Sequence, residues 1–415
     1  MRFALLAVGP RGDVQPMIAL AVALRAAEHD VSVVTHGCYT NIAEEFNIPV
    51  VRLSIDMETL LTSPAGAFLR DARKSTAGLM FSFQRLIAPF YPGLGQECLA
   101  ASSGADVVIG NPVSAILALT IVEKLGVRSI MSYWSPVYPT RVCPIGGIPE
   151  VPAWFGPAAG PFYWYASLSA LAMQWFVQCR GVNRWRVAMG MRPLGLYGPL
   201  NQFLASTNLQ AYSETFAPCP AAWPDHVHVT GFWTLPKPEG WMPSAALERF
   251  LAAGVPPVAV ALGSMHRGPV KARMIVDALR HCGLRGVFTG AGSDLGPLAG
   301  NDMFYARSIP HDWLFERATA VVHHAGSGTL TRALLAGLAS VTLPLTNDEP
   351  FWAKTLHEHG AATEPLTRRT LTVDRLARAI QTATTDAWMR ERARELGSRI
   401  ARENGVARAV EILGR

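Results

Sequence analysis

The run VVHHAGSGTLTRALLAGLASVTLPLTNDEPFW, from Val321 to Trp352, holds two adjacent histidines, a small-residue turn and, further on, an acidic pair. The segment from Ala325 to Thr329 leads straight into a helical pattern. The first turn of a helix leaves N–H groups unpaired and carries partial positive charge, so anions settle there, and small residues let a phosphate approach. His324 adds a hydrogen-bond donor for a diphosphate oxygen. The plain alternative is a strand, a turn and a helix, with both histidines in core or capping positions. Asp348 and Glu349 follow the next apolar run, and their carboxylates suit the hydroxyls of a sugar, each accepting from two of them. A solvated acidic loop is the alternative there. Ser264, in ALGSM, closes another strand-like run, and the C-terminal ends of strands are where open α/β sheets bind ligands. It is either a phosphate contact or a plain turn serine.

The elements that position these residues form two series. Short apolar runs alternate with helical patterns: FALLAVG, QPMIALAVALRAAEHD, VSVVT, ADVVIGNP and VRSIMSY in the first half, PPVAVALGS, ARMIVDALRHCG, RGVFTGAG, MFYARSIP, TAVVHHAGSGTLTRALLAG and ASVTLPL in the second. Fully apolar strands alternating with helices predict parallel sheets covered on both faces. Each series opens with a strand, a glycine turn (Gly9–Gly12 and Gly263) and a helix, which predicts two Rossmann-like domains. The proline- and tryptophan-rich segment 211–243 reads as their connection. We place the domains at 1–237, including the connection 211–237, and at 238–395, with a C-terminal helix over 396–415 packing back on the first.

Bulk properties exclude other classes. A chain of 415 residues is too long for one ordinary core. With 50% hydrophobic and 16% charged residues it is not disordered. The net charge is +6, but the arginines of 390–402 alternate with Glu391, Glu395 and Glu403, which predicts a solvated helix face and no nucleic-acid partner. A mildly basic surface also suits an anionic substrate or a membrane surface. The six cysteines show neither CxxC pairs nor metal spacing, which predicts free thiols in a reducing, cytoplasmic setting. FALLAVG is too short for a signal segment, and no stretch has the length and purity of a membrane span. The nearest is PFYWYASLSALAMQWFVQC, 161–179, read as a buried helix, the wall of an apolar pocket or a membrane contact.

Three blocks, VGPRGDVQPMIALAVAL, AWPDHVHVTGFW and SIPHDWLF…VVHHAGSGT…LPLTNDEPFW, resemble signatures of the family-1 GT-B glycosyltransferases, in the branch holding sterol glucosyltransferases and bacterial natural-product glycosyltransferases. The resemblance spans nearly the whole chain. It implies an α/β GT-B fold, two Rossmann-like domains facing across a cleft, and inverting transfer from a UDP- or dTDP-sugar to a hydroxyl of an apolar natural product, polyketide or sterol-like molecule. It implies that Ser264, His324, Ser327, Gly328 and Thr329 hold the donor diphosphate. Ile309, through its backbone, and Trp313 would meet the nucleobase, and Asp348 and Glu349 the donor sugar. Glu349 stands where the family has glutamine, exchanging an amide donor for a charge, which opens the way to amino or deoxy sugars. At the position of Arg332 plant-type relatives carry a ribose-binding glutamate.

Asp13, matching the aspartate of the GTRGDV signature, is then the general base that takes the acceptor's proton; a helix N-cap is the structural alternative. Pro10 departs from the usual Thr or Ser of that signature. Tyr133 and Trp134, with Tyr138 and Trp154 nearby, would line the acceptor pocket. With no DxD motif, no cofactor and no metal are expected, the diphosphate charge being met by the helix end and His324. An epimerase, a non-catalytic nucleotide-sugar or lipid-binding or auxiliary protein, and a nicotinamide oxidoreductase are the competing readings. The last lacks its G-x-G-x-x-G fingerprint.

Overall fold

The computed structural model describes residues 1–63, 66, 78, 82, 85–142, 148, 150–217, 223–263, 269–290, 296–345 and 348–414. The chain divides into two units, Met1–Glu214 with Pro218–Leu235 and Asn404–Arg415, and Thr215–Ala217 with Pro236–Glu403. The passage between them thus falls at Leu235, against the 237 read from sequence. The helix Ala387–Ile400 stays with the second unit, and the return to the first begins at Asn404, later than the 396 expected. The helix Gly405–Leu413 lies against the first unit so closely that a Cβ on Gly405 would stand 2.4 Å from the carbonyl carbon of Gly231.

In the first unit, β1 (Arg2–Ala7), β2 (Asp30–His36), β3 (Val50–Leu53), β4 (Val107–Gly110), β5 (Arg128–Tyr133), β6 (Thr207–Gln210) and β7 (Val227–Val229) form a parallel sheet in the order β3-β2-β1-β4-β5-β6-β7. In the second, β8 (Val258–Ala261), β9 (Gly286–Thr289), β10 (Met303–Ala306), β11 (Ala320–His323) and β12 (Ser340–Thr342) form another, in the order β10-β9-β8-β11-β12.

Central strands such as β4 (VVIG) and β8 (VAVA) are apolar and buried throughout because both of their faces are covered. Alternate residues feed separate cores in the second unit. Val258, Val260, Phe288, Val322 and Val341 pack with the helices Pro269–His281 and Val373–Thr385. Ala259, Ala261, Val287 and Val321 pack on the other face with Leu314, Phe315 and Ala333. Helix packing there reaches backbone contact: a Cβ on Gly397 would lie 1.9 Å from the Leu334 carbonyl oxygen. The arginine-rich face of Ala387–Ile400 is solvated, as its composition predicts, with ion pairs Arg392–Glu395 and Arg394–Glu391.

Both sheets reverse their strand order beside the first strand of the unit. In the first unit the reversal lies between β1 and β4, and in the second between β8 and β11. Connections leave such neighbours in opposite directions, which opens a crevice beyond their C-terminal ends where ligands bind in open α/β sheets. Asp13 and Asn111 follow β1 and β4, and Gly263 and His324 follow β8 and β11. The sequence candidates therefore stand at the two switch points.

Candidate functional site

The turn after β1 is built around Gly9, whose φ of 126° is closed to ordinary side chains. A Cβ there would stand 2.9 Å from Asp13 Oδ2, so the carboxylate lies directly over the glycine. The Gly9 N–H donates to His36 Nε2 at 3.0 Å, and His36 Nδ1 lies 2.7 Å from the Ile55 carbonyl. A carbonyl only accepts, so Nδ1 carries the proton and Nε2 the lone pair. Burial lowers the His36 pKa and keeps this neutral tautomer in place.

Asp13 is the third residue of the helix Arg11–Ala26, and the N-cap is Pro10, with no side-chain cap. The structure thus removes the N-cap alternative. Proline also lacks the N–H that a third-position carboxylate would otherwise bond in a capping box. The Asp13 carboxylate instead accepts from Trp134 Nε1 at 2.9 Å. Its main-chain oxygen accepts from Asn111 Nδ2 at 3.1 Å, and the same amide reaches the Val8 carbonyl at 2.8 Å. Asn111 thus ties the end of β1 to the first turn of the helix. Trp134 packs edge-on to Trp233, with ring centroids 5.6 Å apart, which holds the indole in place. Tyr133 is in the core beside Phe203, and burial raises its pKa. Of the two acceptor candidates, the structure brings only Trp134 to Asp13.

In the second unit the adjacent histidines have different surroundings. His323 is fully buried at the end of β11 and accepts the Ala325 N–H at Nδ1 over 3.1 Å. Burial, then the neighbouring His324 and His311, push it down to about 3, so it stays neutral. It bends the chain into a turn with Ala325 at φ 67°, a left-handed conformation that costs a non-glycine residue on the order of 1 kcal/mol. His324 emerges from this turn half-buried, with Nδ1 3.2 Å from the Ala261 carbonyl. Its ring fills the space a side chain would need at Gly263 and Gly326, where a Cβ would lie 2.9 Å and 2.4 Å from ring atoms. The glycines leave room for the imidazole.

The helix Ser327–Leu335 begins at Gly326 without a side-chain cap. Thr329 and Leu330 direct their N–H groups to the Gly326 carbonyl, whereas those of Ser327 and Gly328 precede any intrahelical partner. Gly328 is exposed, Ser327 half-buried and Thr329 buried. Ser264 lies outside the described residues.

Asp348 is the N-cap of the helix Glu349–Glu358, and its Oδ2 accepts from Trp352 Nε1 at 2.8 Å. Burial, and then the charge of Glu349, push its carboxyl up to about 6. Glu349 is buried and accepts the Leu345 N–H at 2.6 Å, which holds the preceding loop. Lys271 lies near Glu349: burial pushes its ammonium down to about 8, Glu349 opposes the shift and Arg368 adds to it. Lys271 has no local sequence signal, because it reaches Glu349 only through the fold.

Ile309 is buried and gives its N–H to Thr289 Oγ1 at 3.0 Å, so backbone recognition there falls to its carbonyl. Trp313 packs between Trp241, at 5.2 Å, and the Arg317 guanidinium, at 4.3 Å. His311 stacks on Phe315. Of these side chains His311 lies near enough to His323 to help depress its pKa. Among the described residues no cluster of His, Cys, Asp or Glu has the arrangement to hold a metal ion.

Two parallel α/β units with glycine turns at their switch points define the GT-B architecture. SsfS6, a glycosyltransferase of Streptomyces sp. SF2575 solved with thymidine diphosphate, superposes with a TM-score of 0.64, at 18% identity over 100% of this chain and 99% of that one. Residues 3–144 match the glycosyltransferase family 28 N-terminal domain, and residues 287–412 the erythromycin biosynthesis protein CIII-like C-terminal domain. The O-mycaminosyltylonolide 6-deoxyallosyltransferase of Streptomyces fradiae is 33% identical, over 100% of this chain and 97% of that protein. A sterol 3-beta-glucosyltransferase of Debaryomyces hansenii is 30% identical over 99% of this chain, which spans only 26% of that longer protein. The chain belongs to the glycosyltransferase family that holds natural-product and sterol glycosyltransferases, and is an enzyme of that type.

Proposed function

We propose that the chain moves a sugar from a UDP- or dTDP-sugar to a hydroxyl of an apolar polyketide, macrolide or sterol-like molecule, inverting the anomeric carbon without a metal ion. The observation that carries this reading is the uncapped helix end after His324, set at the switch point of the second sheet. Ser327, Gly328 and Thr329 would meet the diphosphate there, with His324 as side-chain donor. The Streptomyces fradiae relative supports the macrolide-type acceptor, and the thymidine diphosphate in SsfS6 supports the donor class.

In this reading Asp13 takes the proton of the acceptor hydroxyl as its oxygen bonds to the anomeric carbon. The bond from that carbon to the diphosphate oxygen breaks, and its electron pair leaves with the phosphate. The helix end and His324 stabilise the growing charge. Trp134 holds the Asp13 carboxylate by its indole N–H. The test is incubation with UDP- and dTDP-sugars and apolar acceptors, with and without EDTA. Product formation unaffected by EDTA is expected; turnover that needs an added divalent ion would overturn the metal-free reading.

Asp348 is the proposed anchor of the donor sugar, with Glu349 holding its loop. Because its carboxyl titrates at about 6, it loses its charge as pH falls through that value. Affinity for the intact donor relative to the nucleoside diphosphate alone should then drop between pH 7.5 and pH 5, the ratio cancelling the phosphate contacts common to both. Asp348→Asn should lower donor affinity at pH 7.5 by about 10-fold or more, the range of a hydrogen bond to a charged group, and flatten the pH dependence of that ratio. A wild-type step surviving in the variant would remove Asp348 from the donor site. The sign for folding is opposite: a carboxyl raised from 3.8 costs stability as pH climbs towards about 6 and above.

A further inference from the structure

The long helix Ala159–Ala188 of the first unit turns a continuous face to solvent. Its inner side is fixed by buried Tyr163, Trp175 and Trp185 and by the Arg186–Glu123 ion pair at 2.8 Å. On the outer side Phe162, Tyr165, Met173, Phe176, Arg180 and Arg184 are all exposed. At 3.6 residues per turn these six fall within an arc of about 100°, one stripe down the helix. Tyr165 is 64% exposed and Phe176 70%, more than a helix face ordinarily leaves to water. The patch continues past the helix start, where Trp154, 80% exposed, packs on Phe155 at 4.6 Å and Phe155 on Phe162 at 5.7 Å.

Charge selects the occupant. From Val151 to Ser213 the chain carries no Asp or Glu and four arginines, of which Arg186 is spent on Glu123. Arg180 and Arg184 are exposed at the far end of the stripe. A second copy laid on this face would bring no carboxylate to the arginines from this segment. An anionic bilayer surface supplies both needs: phosphates for the guanidiniums, and an interfacial zone that aromatic rings favour. No helix among the described residues is long and apolar enough to cross a membrane, so such contact would be superficial.

We infer that the outer face of Ala159–Ala188 docks the enzyme on an anionic lipid surface, aromatic side chains at one end and arginines at the other. Co-sedimentation of the full chain with vesicles of phosphatidylglycerol and phosphatidylcholine, against phosphatidylcholine alone, tests it. Binding to the anionic vesicles is expected, weakening as salt rises. Tyr165→Glu with Phe176→Glu, and separately Arg180→Glu with Arg184→Glu, should each cut it by at least about tenfold. Circular dichroism checks the fold, and Phe176→Ser is the milder variant should a double change unfold the chain. Failure to bind anionic vesicles, or binding indifferent to these changes, overturns the inference. So does a dimer in light scattering that Phe176→Ser splits while vesicle binding persists. A raised acceptor KM in these variants, with vesicle binding intact, would assign the face to the acceptor and equally overturn it.

Discussion

Asp13→Asn is expected to lower transfer by roughly 10²–10⁴-fold, the contribution of a positioned general base, while nucleoside diphosphate affinity stays within a few-fold of wild type. The substitution is conservative in shape. Asparagine keeps an oxygen to accept the Trp134 indole N–H, and the main-chain bond from Asn111 does not involve the side chain. The changed part is the basic oxygen that would receive the acceptor's proton. A side-chain amide is no base near neutral pH, so the acceptor hydroxyl would attack with its proton still bound. The loss should therefore appear in kcat. Because Asp13 stands in the first unit and the proposed diphosphate contacts in the second, donor binding offers an independent readout.

The second large effect is expected for His324→Ala, which should weaken nucleoside diphosphate binding by about 10–100-fold, the range of a hydrogen bond between charged groups. The Ala261 carbonyl receives the proton on Nδ1, so Nε2 has to be protonated as well to donate to phosphate. The diphosphate is thus expected to bind the imidazolium and draw a proton onto the ring. Titration calorimetry in two buffers of different ionisation enthalpy measures affinity and proton uptake together. Unchanged affinity in the variant would remove His324 from the cradle. His323→Ala is no substitute for this test, because that ring is buried and shapes the turn itself.

Much of the architecture could be read locally. An apolar run such as VVIG or VAVA, closed by a turn and followed by a helical pattern, has few other folds open to it, and the parallel sheets follow from the alternation. The turn proposed to hold the diphosphate was legible for the same reason, since Gly326, Ser327 and Gly328 lie within a few residues of His324. Contacts between distant residues were not. Nothing near Trp134 shows that its indole reaches Asp13, 121 positions away, and Asn111 is 98 positions from the same residue. By type alone Trp134 and Tyr133 read alike as pocket lining, whereas in the fold Trp134 meets Asp13 and Tyr133 is buried beside Phe203. His36 carried no signal at all, because its partner is a main-chain N–H. The acidic pair was legible as polar but not as divided labour, Glu349 turning back to Leu345 while Asp348 accepts from the Trp352 indole.

The most direct measurement compares wild type and Asp13→Asn in a single turnover of bound donor with an apolar acceptor, with nucleoside diphosphate affinity taken on the same preparations. The account predicts matching affinities and a transfer step that all but disappears in the variant. Transfer at the wild-type rate, with the diphosphate bound equally well, would contradict it.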